Sequence, residues 1–413
     1  MRILLIHQYF LEKQEGGGSR FNEMAKIWAS NGHQITVIAG MIHANAQKKY
    51  PQYKGKYFHL EDYETNIKVL RCHVSERYNA NFTGRLWAYF SFVVSSIAGF
   101  FLKLNGNYDL VLVTSPPLFV GITGLIISKI KQIPLVFEIR DLWPESAIDT
   151  GILSNKFLIK LAFWFESFMY RNAQLINVLT PAFRNILIEK KHISPAKIIL
   201  IPNGSDFSMS DKVVLEMNRE AIRERLGWQG KFVVVYVGAH GLANDLGQIL
   251  DAAILLKGTN ALFALIGDGM QKQTLKDKAL EMSLNNVIFL DPVAKEKVFE
   301  YTLAADCGLS VMQKNETFKT IYSNKTFDYM GSRIPILMAI DGISKSLVEN
   351  SKAGLFVEPA NKFDFEAKIK WLMEHTQEAK QMGENGYSYA KANFDRKILA
   401  TQYLDYLLSL IQR

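Results

Sequence analysis

Short apolar runs that alternate with helical segments are the feature that most constrains the fold of this chain. The second half of the sequence contains six runs of strand length: Phe232–Val237, Ala261–Ile266, Val287–Leu290, Cys307–Val311, Ile334–Ala339 and Gly354–Val357. A stretch with helical spacing separates each run from the next, so the order is strand, helix, strand throughout. This order predicts a parallel sheet with helices on both of its faces.

The first half of the chain shows the same alternation with a different sequence. Its predicted strands are Arg2–Ile6, Ile35–Ala39, Ile67–Leu70, Asp109–Thr114, Pro134–Ile139, Leu175–Leu179 and Lys197–Ile201. The polar and aromatic stretch Tyr50–Glu64 has no clear period, and we predict a loop there. The first half therefore indicates a second α/β sheet.

The length of the chain indicates more than one domain. Its 413 residues exceed what one ordinary core accommodates, and Pro202–Asp206 is typical of a turn and linker. We predict two Rossmann-like domains, 1–205 and 206–393, with a final helix, 394–413, that joins the first. Two such domains facing each other would bring both ligand-binding sheet edges to one central cleft.

Charge is distributed unevenly along the chain. The formal net charge is +8, of which residues through Ser205 carry +9 and the remainder −1. The basic first half predicts an anionic partner, such as a phosphate, a nucleic acid or a lipid surface. Cys72 and Cys307 are far apart and lack metal-ligand neighbours, which favours a reducing compartment. The sequence contains neither Asp-x-Asp nor a P-loop, so no motif requires a metal ion.

Two aromatic segments lie in the basic half. Leu86–Leu102 follows Arg85 and contains no charge; as a helix it would measure about 26 Å, short of the roughly 30 Å hydrocarbon core. It fits either a buried core helix or an interfacial helix with Trp87 among lipid headgroups. Phe157–Tyr170 includes Trp164 and has three basic residues nearby: Lys156, Lys160 and Arg171. Together the segments favour association with an anionic membrane surface.

Charged and aromatic side chains cluster after the predicted strand Pro134–Ile139. They are Arg140, Asp141, Trp143 and Glu145. The carboxyl ends of parallel strands form the ligand edge of a sheet, so this cluster indicates a binding or catalytic site. The alternative is a strand-end loop held by salt bridges.

A polar loop, Thr320–Asn324, leads into a short amphipathic segment, Lys325–Met330, which Gly331 is expected to end. Unpaired backbone N–H groups and the positive end of the helix dipole suit a phosphate at such a place. Lys325 would add a full charge, and Asp328, one turn on, could bind a pair of sugar hydroxyls. A plain surface loop with a capped helix is the alternative.

Glycines mark other candidate ligand-binding turns. Gly16, Gly17 and Gly18 precede the first helix, and Gly238 and Gly267 follow two strands of the second half. Glycine lets the backbone approach a ligand closely. The first loop lacks the G-x-G-x-x-G pattern and a later acidic residue, so a dinucleotide is disfavoured.

In this order, the motifs resemble those of the retaining GT-B glycosyltransferases of family 4, over nearly the whole chain. They are similar in character to bacterial transferases of O-antigen and capsule assembly with UDP-N-acetyl-fucosamine-type donors. The motifs are Gly16–Arg20, Ser115–Pro117, Arg140–Pro144, Pro202–Gly204, Gly238–Ala243, Gly267–Gly269, Ala304–Asp306 and Thr320–Pro335.

The resemblance implies a GT-B fold and a retaining, metal-independent hexosyltransferase without a cofactor. Its donor would be a UDP-sugar, and its acceptor a saccharide on a polyprenyl diphosphate. It implies a peripheral enzyme on the cytoplasmic face of the inner membrane that acts in lipopolysaccharide or capsule biosynthesis and binds no nucleic acid.

The family's donor residues are assigned to this sequence position by position. Its glutamate pair, seven residues apart, falls on Thr320 and Asp328, of which Asp328 would hold the ribose and Thr320 a sugar hydroxyl. The backbone N–H groups of three residues would hold the diphosphate: Tyr322, Ser323 and Asn324. The resemblance also implies donor-site roles for the glycine turns at Gly17, Gly18, Gly238 and Gly267.

Other family positions depart from the usual residues. The family's Arg and Lys after the first strand of the second domain fall on Ala239 and Asn244, so we expect Lys325 and His240 to neutralise the leaving diphosphate. The segment ending at Val293 would contact the nucleobase.

The family's strand-end His-Asp pair falls on Arg140 and Asp141. Asp141, followed by Glu145, would steer or deprotonate the acceptor hydroxyl, and Arg140 and Trp143 would contact the acceptor.

Two other functions fit the same sequence. A UDP-sugar 2-epimerase would use a similar cleft on a soluble substrate, but would not need the aromatic segment Leu86–Leu102. A non-catalytic, membrane-bound partner subunit would account for the missing Arg and Lys at Ala239 and Asn244.

Overall fold

The structure, a computed structural model, describes residues 1–13, 20–42, 48–79, 82–151 and 153–412, apart from five side chains at positions 78, 79, 82, 85 and 296. It divides into two compact units. The first contains the described residues up to Pro202 together with those from Lys397 onward, and the second contains Asn203–Arg396. Each boundary between the units lies three residues from the predicted domain boundary.

The first unit contains an eight-stranded sheet with the order β3-β4-β2-β1-β5-β6-β7-β8. Its strands are β1 (Arg2–Ile6), β2 (Gln34–Gly40), β3 (Phe58–Glu64), β4 (Ile67–Cys72), β5 (Leu110–Ser115), β6 (Leu135–Ile139), β7 (Leu175–Val178) and β8 (Ile198–Leu200). All neighbours are parallel except β3, which runs antiparallel to β4. The prediction of a loop was therefore wrong over β3. Asp62 and Glu64 are exposed and the register shifts between them, so the alternation of apolar and polar residues that marks a strand is interrupted.

The second unit contains a six-stranded, wholly parallel sheet with the order β11-β10-β9-β12-β13-β14. Its strands are β9 (Phe232–Val237), β10 (Ala261–Ile266), β11 (Val287–Leu290), β12 (Cys307–Val311), β13 (Ile336–Ala339) and β14 (Gly354–Phe356). They coincide with the six predicted runs to within two residues. The two-domain α/β fold with parallel sheets is confirmed.

Helices connect the strands in both units. They are α1 (Arg20–Ser30), α2 (Phe82–Lys103), α3 (Val120–Lys131), α4 (Glu145–Asp149), α5 (Lys156–Asn172), α6 (Pro181–Glu189), α7 (Phe207–Glu216), α8 (Arg219–Leu226), α9 (Gly247–Ala253), α10 (Lys272–Glu281), α11 (Lys295–Ala304), α12 (Asn324–Gly331), α13 (Ile343–Ser351), α14 (Lys362–Glu374), α15 (Thr376–Phe394) and α16 (Arg396–Ile411).

The last helix, α16, completes the core of the first unit. Its buried Tyr403 packs edge-on against Trp28, with 5.7 Å between the ring centroids. The indole N–H of Trp28 donates to the carbonyl of Ala400 at 2.8 Å. A buried indole needs such a partner, because an unpaired N–H in the core is costly.

The loops that follow β9 and β10 are in close contact, and this contact positions the candidate site of the second unit. The backbone N–H of Gly238 donates to Ile266 O at 2.9 Å, and that of His240 donates to Asp268 O at 2.8 Å. A Cβ atom on Gly267 would lie only 1.9 Å from Gly238 O, and the φ of Gly267 is +147°. Only glycine satisfies both constraints.

We predict that Gly267→Ala lowers the free energy of unfolding by about 3 kcal/mol, since the added methyl group must push one backbone loop away from the other. Gly258→Ala is the matched control, because nothing lies within 4 Å of a Cβ there, and its effect should stay within about 0.5 kcal/mol. Thermal and urea unfolding of the three proteins measures both values. Equal stability of both variants would contradict the packing argument.

Candidate active site

Helix α12 is attached to the sheet of the second unit by one buried side chain. The hydroxyl of Tyr329 accepts a hydrogen bond from Val237 N–H at 3.0 Å and donates one to Leu309 O at 3.1 Å. It thereby ties α12 to the carboxyl end of β9 and to the middle of β12. This edge of a parallel sheet is where α/β proteins bind ligands.

Lys325, in the first turn of α12, reaches across to the end of β9. Its ammonium group lies over the ring of Tyr236, 4.7 Å from the centroid, and its Cε lies beside Gly238. In the described part of the chain this ammonium has no hydrogen bond or ion pair. Burial lowers the pKa of Lys325 to about 8, with Asp328 acting in the opposite direction. At neutral pH the group is therefore a mostly charged cation without an anionic partner.

This placement bears on the charges that are missing at Ala239 and Asn244. Both positions follow β9, and neither side chain is charged. Lys325 brings a positive charge to the same strand end from a different element. A cation and a helix amino terminus on one side of a glycine turn form an arrangement suited to a phosphate.

His240 cannot supply a positive charge in the free protein. The side chain is fully buried between the two glycine turns, and neither ring nitrogen has a hydrogen-bond partner among the described residues. Burial, followed by the charge of Lys272, lowers the pKa of His240 to about 4. The ring is neutral at pH 7, so it could donate a hydrogen bond to a diphosphate but adds no charge. The predicted neutralising role therefore rests on Lys325.

Asp328 is already engaged by two neighbours. Its Oδ1 accepts from Ser205 Oγ at 2.8 Å and from Lys295 Nζ at 2.6 Å, and 15% of the side chain is exposed. These contacts fix the orientation of the shorter carboxylate that stands where the family has a glutamate. Lys295 was missed by the sequence analysis, although it follows the predicted nucleobase segment by two residues.

The loop before α12 differs in part from the prediction. The backbone N–H of Ser323 donates to Ser344 Oγ at 3.3 Å, so this predicted phosphate donor is occupied within the protein. Thr320 Oγ1 donates to Thr317 O at 2.6 Å and thereby closes a short turn. The first bond connects the loop to the start of α13, and the second pairs within the loop. While Thr320 Oγ1 donates to Thr317 O, it can still accept a hydrogen bond from a sugar hydroxyl.

Two other predicted donor residues flank the same loop. Asn324 is exposed, and its Oδ1 accepts from Asn203 Nδ2 at 2.7 Å. Tyr322 packs against the rings of Phe327 and Phe394, with centroids 6.0 and 5.8 Å away. These contacts place the Tyr322 ring at the edge of the hydrophobic core.

Lys272, which the sequence analysis did not identify, joins the ends of β10 and β11. Its ammonium donates to Gly267 O at 2.9 Å and Leu290 O at 3.1 Å, and it pairs with Asp291 Oδ1 at 2.8 Å. The hydrogen bond from Lys272 lowers the pKa of Asp291. The half-buried Val293 follows directly, so the predicted nucleobase segment starts from an anchored residue.

In the first unit, Asp141 lies just past the end of β6. Burial raises the pKa of Asp141 to about 6, with Glu145 contributing in the same direction. Hydrogen bonds from Ser146 and from the backbone N–H of Leu142 oppose the shift, as does the charge of Arg140. A carboxyl with this pKa is ionised at neutral pH and is a stronger base than an ordinary aspartate. The structure thus gives Asp141 the electrostatics of a proton acceptor.

Glu145, which opens α4, is held by an ion pair. Its Oε1 lies 2.6 Å from Lys191 Nζ, while its Oε2 is buried without a hydrogen-bond partner among the described residues. The same ammonium also contacts the buried Glu166 at 2.6 Å. Neither Lys191 nor Glu166 was identified from the sequence.

A second buried ion pair anchors the start of α1. Arg20 Nε lies 3.0 Å from Glu138 Oε1 in β6, and Arg20 Nη2 donates to Ile201 O at 2.8 Å. Asn177 Nδ2 donates to the other oxygen of Glu138 at 2.9 Å. This network fixes the residue that follows the glycine-rich loop. Gly17 and Gly18 themselves lie outside the described residues.

Trp143 belongs to a group of aromatic rings that links three helices. The ring of Phe119, at the start of α3, lies 5.7 Å from Trp143, 5.0 Å from Phe90 in α2 and 5.6 Å from Phe165 in α5. Aromatic pairs at such distances stabilise one another beyond simple burial. Through Phe119, the predicted acceptor residue Trp143 is thus connected to both aromatic segments.

Both aromatic segments present apolar side chains to solvent. On α2, Trp87 is 56% exposed, and on α5, Phe157 and Trp164 are 73% and 61% exposed. By length and composition, Leu86–Lys103 is the one helical stretch in the described chain that could cross a membrane, and 44% of it is buried in the protein. The side chain of Arg85 lies outside the described part. The exposed rings form a surface patch that a soluble core does not require.

No group of three or more His, Cys, Asp and Glu side chains that could hold a metal ion occurs among the described residues.

Two family descriptions match this chain. Residues 15–204 match the family described as the glycosyl transferase 4-like domain, and residues 218–389 match the family described as glycosyl transferases group 1. The two matched segments correspond to the two structural units.

Individual relatives agree with these matches. The chain is 24% identical over 334 residues to the putative colanic acid biosynthesis glycosyl transferase WcaI of Escherichia coli K12, covering 79% of this chain and 80% of WcaI. Anabaena HepE, whose structure was solved in complex with UDP, is 18% identical in sequence to this chain. The two structures match with a TM-score of 0.72 over 99% of this chain and all of HepE. WaaG, a glycosyltransferase involved in lipopolysaccharide biosynthesis, is 16% identical, with a TM-score of 0.71, and covers 98% of this chain and 99% of WaaG.

Proposed function

We propose that this chain, which belongs to the group 1 glycosyltransferases of the GT-B fold, is a retaining and metal-independent enzyme that extends a lipid-linked saccharide. The donor in this proposal is a UDP-sugar, with an N-acetylated deoxyhexosamine as the transferred group. The acceptor is a saccharide carried by a polyprenyl diphosphate. The product would serve the assembly of a bacterial surface polysaccharide.

The observation that carries the proposal is the ammonium of Lys325 at the amino end of α12, which has no hydrogen bond or ion pair to any residue that the structure describes. In the proposed reaction the bond between the sugar C1 and the diphosphate oxygen breaks, and UDP leaves with the electron pair. Negative charge then grows on the β-phosphate, where a preorganised donor contributes about 3 kcal/mol. Lys325 and the helix dipole supply this stabilisation, and His240 adds a neutral hydrogen bond.

The acceptor half of the reaction is assigned to the first unit. The acceptor hydroxyl oxygen forms the new bond to C1, and its proton passes to Asp141. Because burial raises the pKa of Asp141 to about 6, this base is available above that pH and is lost as the pH falls through it. Arg140 and Trp143 are assigned to acceptor binding.

The donor-binding assignments follow the same reasoning. Asp328, oriented by Lys295 and Ser205, is proposed to hold the ribose hydroxyls. Val293 and the backbone next to it are proposed to contact the nucleobase. Thr320 stands where the family contacts the donor sugar, so it is the proposed site of donor choice.

Membrane association is proposed for the exposed apolar patch on α2 and α5. The first half carries a charge of +9, and each Lys or Arg close to anionic lipid adds about 1 kcal/mol. Trp87 and Trp164 would lie at the headgroup level. We place the enzyme on the cytoplasmic face of the inner membrane, where nucleotide sugars and the lipid-linked acceptor meet.

The names of the relatives support this proposal. WcaI is named for colanic acid biosynthesis, and WaaG for lipopolysaccharide biosynthesis. HepE has been crystallised with UDP and with UDP-glucose. A surface saccharide as the product and UDP as the carrier are therefore the first chemistry to test.

We predict that UDP affinity falls as pH rises through about 8, since Lys325 then loses its proton while the phosphates stay ionised. Lys325→Ala should bind UDP about 10- to 100-fold more weakly at neutral pH. Lys325→Arg should keep its affinity at alkaline pH, because its guanidinium stays charged. Calorimetric titration measures these constants. Lys380→Ala, on the exposed face of α15, is the control, and an equal loss in that variant would refute the assignment.

Transfer itself is tested by UDP release. A panel of UDP-N-acetylhexosamines and their 6-deoxy forms is incubated with and without a synthetic polyprenyl-diphosphate-linked N-acetylglucosamine. Release that depends on the acceptor is the expected result, and Lys325→Ala should abolish it while the fold is retained. Interconversion of UDP-sugars without acceptor would indicate the epimerase instead. Neither reaction with any donor would indicate a non-catalytic partner subunit.

Membrane binding is tested by sedimentation with vesicles that contain phosphatidylglycerol. Phe157→Ser should weaken binding about tenfold, because one exposed aromatic side chain no longer enters the lipid. Phe363→Ser is the matched control, since this phenylalanine is likewise exposed, at 63% against 73% for Phe157, but lies in the second unit. Added salt should weaken binding as well. Equal effects of the two substitutions would argue against the patch on α2 and α5.

A further inference from the structure

A buried ionic cluster in the first unit has no part in the reaction as described so far. Lys191, just after α6, places its ammonium 2.6 Å from Glu145 Oε1 and 2.6 Å from each carboxylate oxygen of Glu166. Only 10% of the Lys191 side chain and 1% of Glu166 are exposed. The hydroxyl of Tyr170 donates to Glu166 Oε1 at 2.8 Å.

The composition of this cluster is unusual for a purely stabilising contact. Burying charges is costly, and well-packed apolar residues often stabilise a core as well as an ion pair does. Here one ammonium forms ion pairs with two carboxylates, and one of these, Glu145, is 28% exposed. Glu145 also acts on Asp141 as a like charge. The cluster thus connects the protein interior to the carboxyl assigned to the acceptor.

We propose that Lys191 is a positioning residue for the acceptor carboxyls: anchored by Glu166 and Tyr170, it orients Glu145 and compensates its negative charge beside Asp141. The inference rests on the proposed function, because that function gives Asp141 its task. Lys191 does not touch the substrate. It sets the charge and the position of a group that acts on Asp141.

The charges around Lys191 explain why this one cation should affect the acceptor carboxyls. Three carboxyls and two cations face one another here, together with one phenol: Asp141, Glu145, Glu166, Arg140, Lys191 and Tyr170. Burial raises the pKa of Glu166 to about 7, against the opposing effect of Lys191. The carboxyls outnumber the cations by one, and each cation lowers the pKa of the carboxyls near it. Loss of one cation therefore increases the excess of negative charge.

The direction of the effect follows from the sign of the charge. Without the Lys191 ammonium, the negative charge of Glu145 beside Asp141 is no longer compensated, so the pKa of Asp141 rises. The base then stays protonated to a higher pH, and the acid limb of kcat/KM moves upward. An opposite charge at this range commonly shifts a pKa by about one unit or more.

The experiment compares pH profiles of UDP release with the donor and acceptor that give turnover in the wild type. Lys191→Met should move the acid limb upward by about one pH unit, with activity approaching the wild-type rate at alkaline pH. Lys190→Met removes the same charge from the adjacent, exposed residue and should leave the profile in place. A uniform loss at every pH in Lys191→Met would show a structural role only and would overturn the inference.

Glu166→Gln provides the reciprocal test and keeps Lys191 in place. With one negative charge removed, the acid limb should move to lower pH, and an upward or absent shift would overturn the proposal. If Lys191→Met does not fold, the double variant Lys191→Met/Glu166→Gln takes its place, and its limb should lie above that of Glu166→Gln. A wild type without UDP release at any pH would reject the proposed function itself, which is a separate outcome.

Discussion

The contact between the loops after β9 and β10 is the constraint on which the second unit depends. Gly267 leaves room for the carbonyl of Gly238, and backbone hydrogen bonds tie the two turns together. Because Gly238 has no side chain, the Cε of Lys325 can lie beside it, with the ammonium over the ring of Tyr236 at the end of β9. A bulkier turn would separate the strand end from α12. The charge at the site is thus a consequence of tight backbone packing.

The two units contain unbalanced charges of opposite sign. In the second, Lys325 is a cation without an anionic partner among the described residues, and burial lowers its pKa to about 8. In the first, Asp141 and Glu145 belong to a cluster with more carboxyls than cations, and burial raises the pKa of Asp141 to about 6. Both situations cost stability in the free protein. Each would be relieved by the proposed chemistry, the first by a bound diphosphate and the second by an acceptor proton.

Several of the missed residues share one property, which is that their partners are distant in sequence. Lys295 pairs with Asp328, and Lys191 pairs with Glu145, across 33 and 46 residues. Lysines at the start or end of a helix usually face solvent, so no local pattern distinguishes these two. The edge strand β3 was missed for a related reason. Its pairing with β4 is made by the backbone, while its side chains lack apolar alternation.

The sequence by itself determined the two-domain α/β fold, and it indicated the segments that are candidates for ligand binding. Apolar runs of strand length and glycines at strand ends are local signals, and burial of the runs requires a layered sheet. Only the tertiary structure decided which charges act at those places. It put Lys325 beside the glycine turn, left His240 neutral, and placed Lys191 between two carboxylates. Burial and distance set these properties, because a charge interacts through space with groups that the chain order does not bring together.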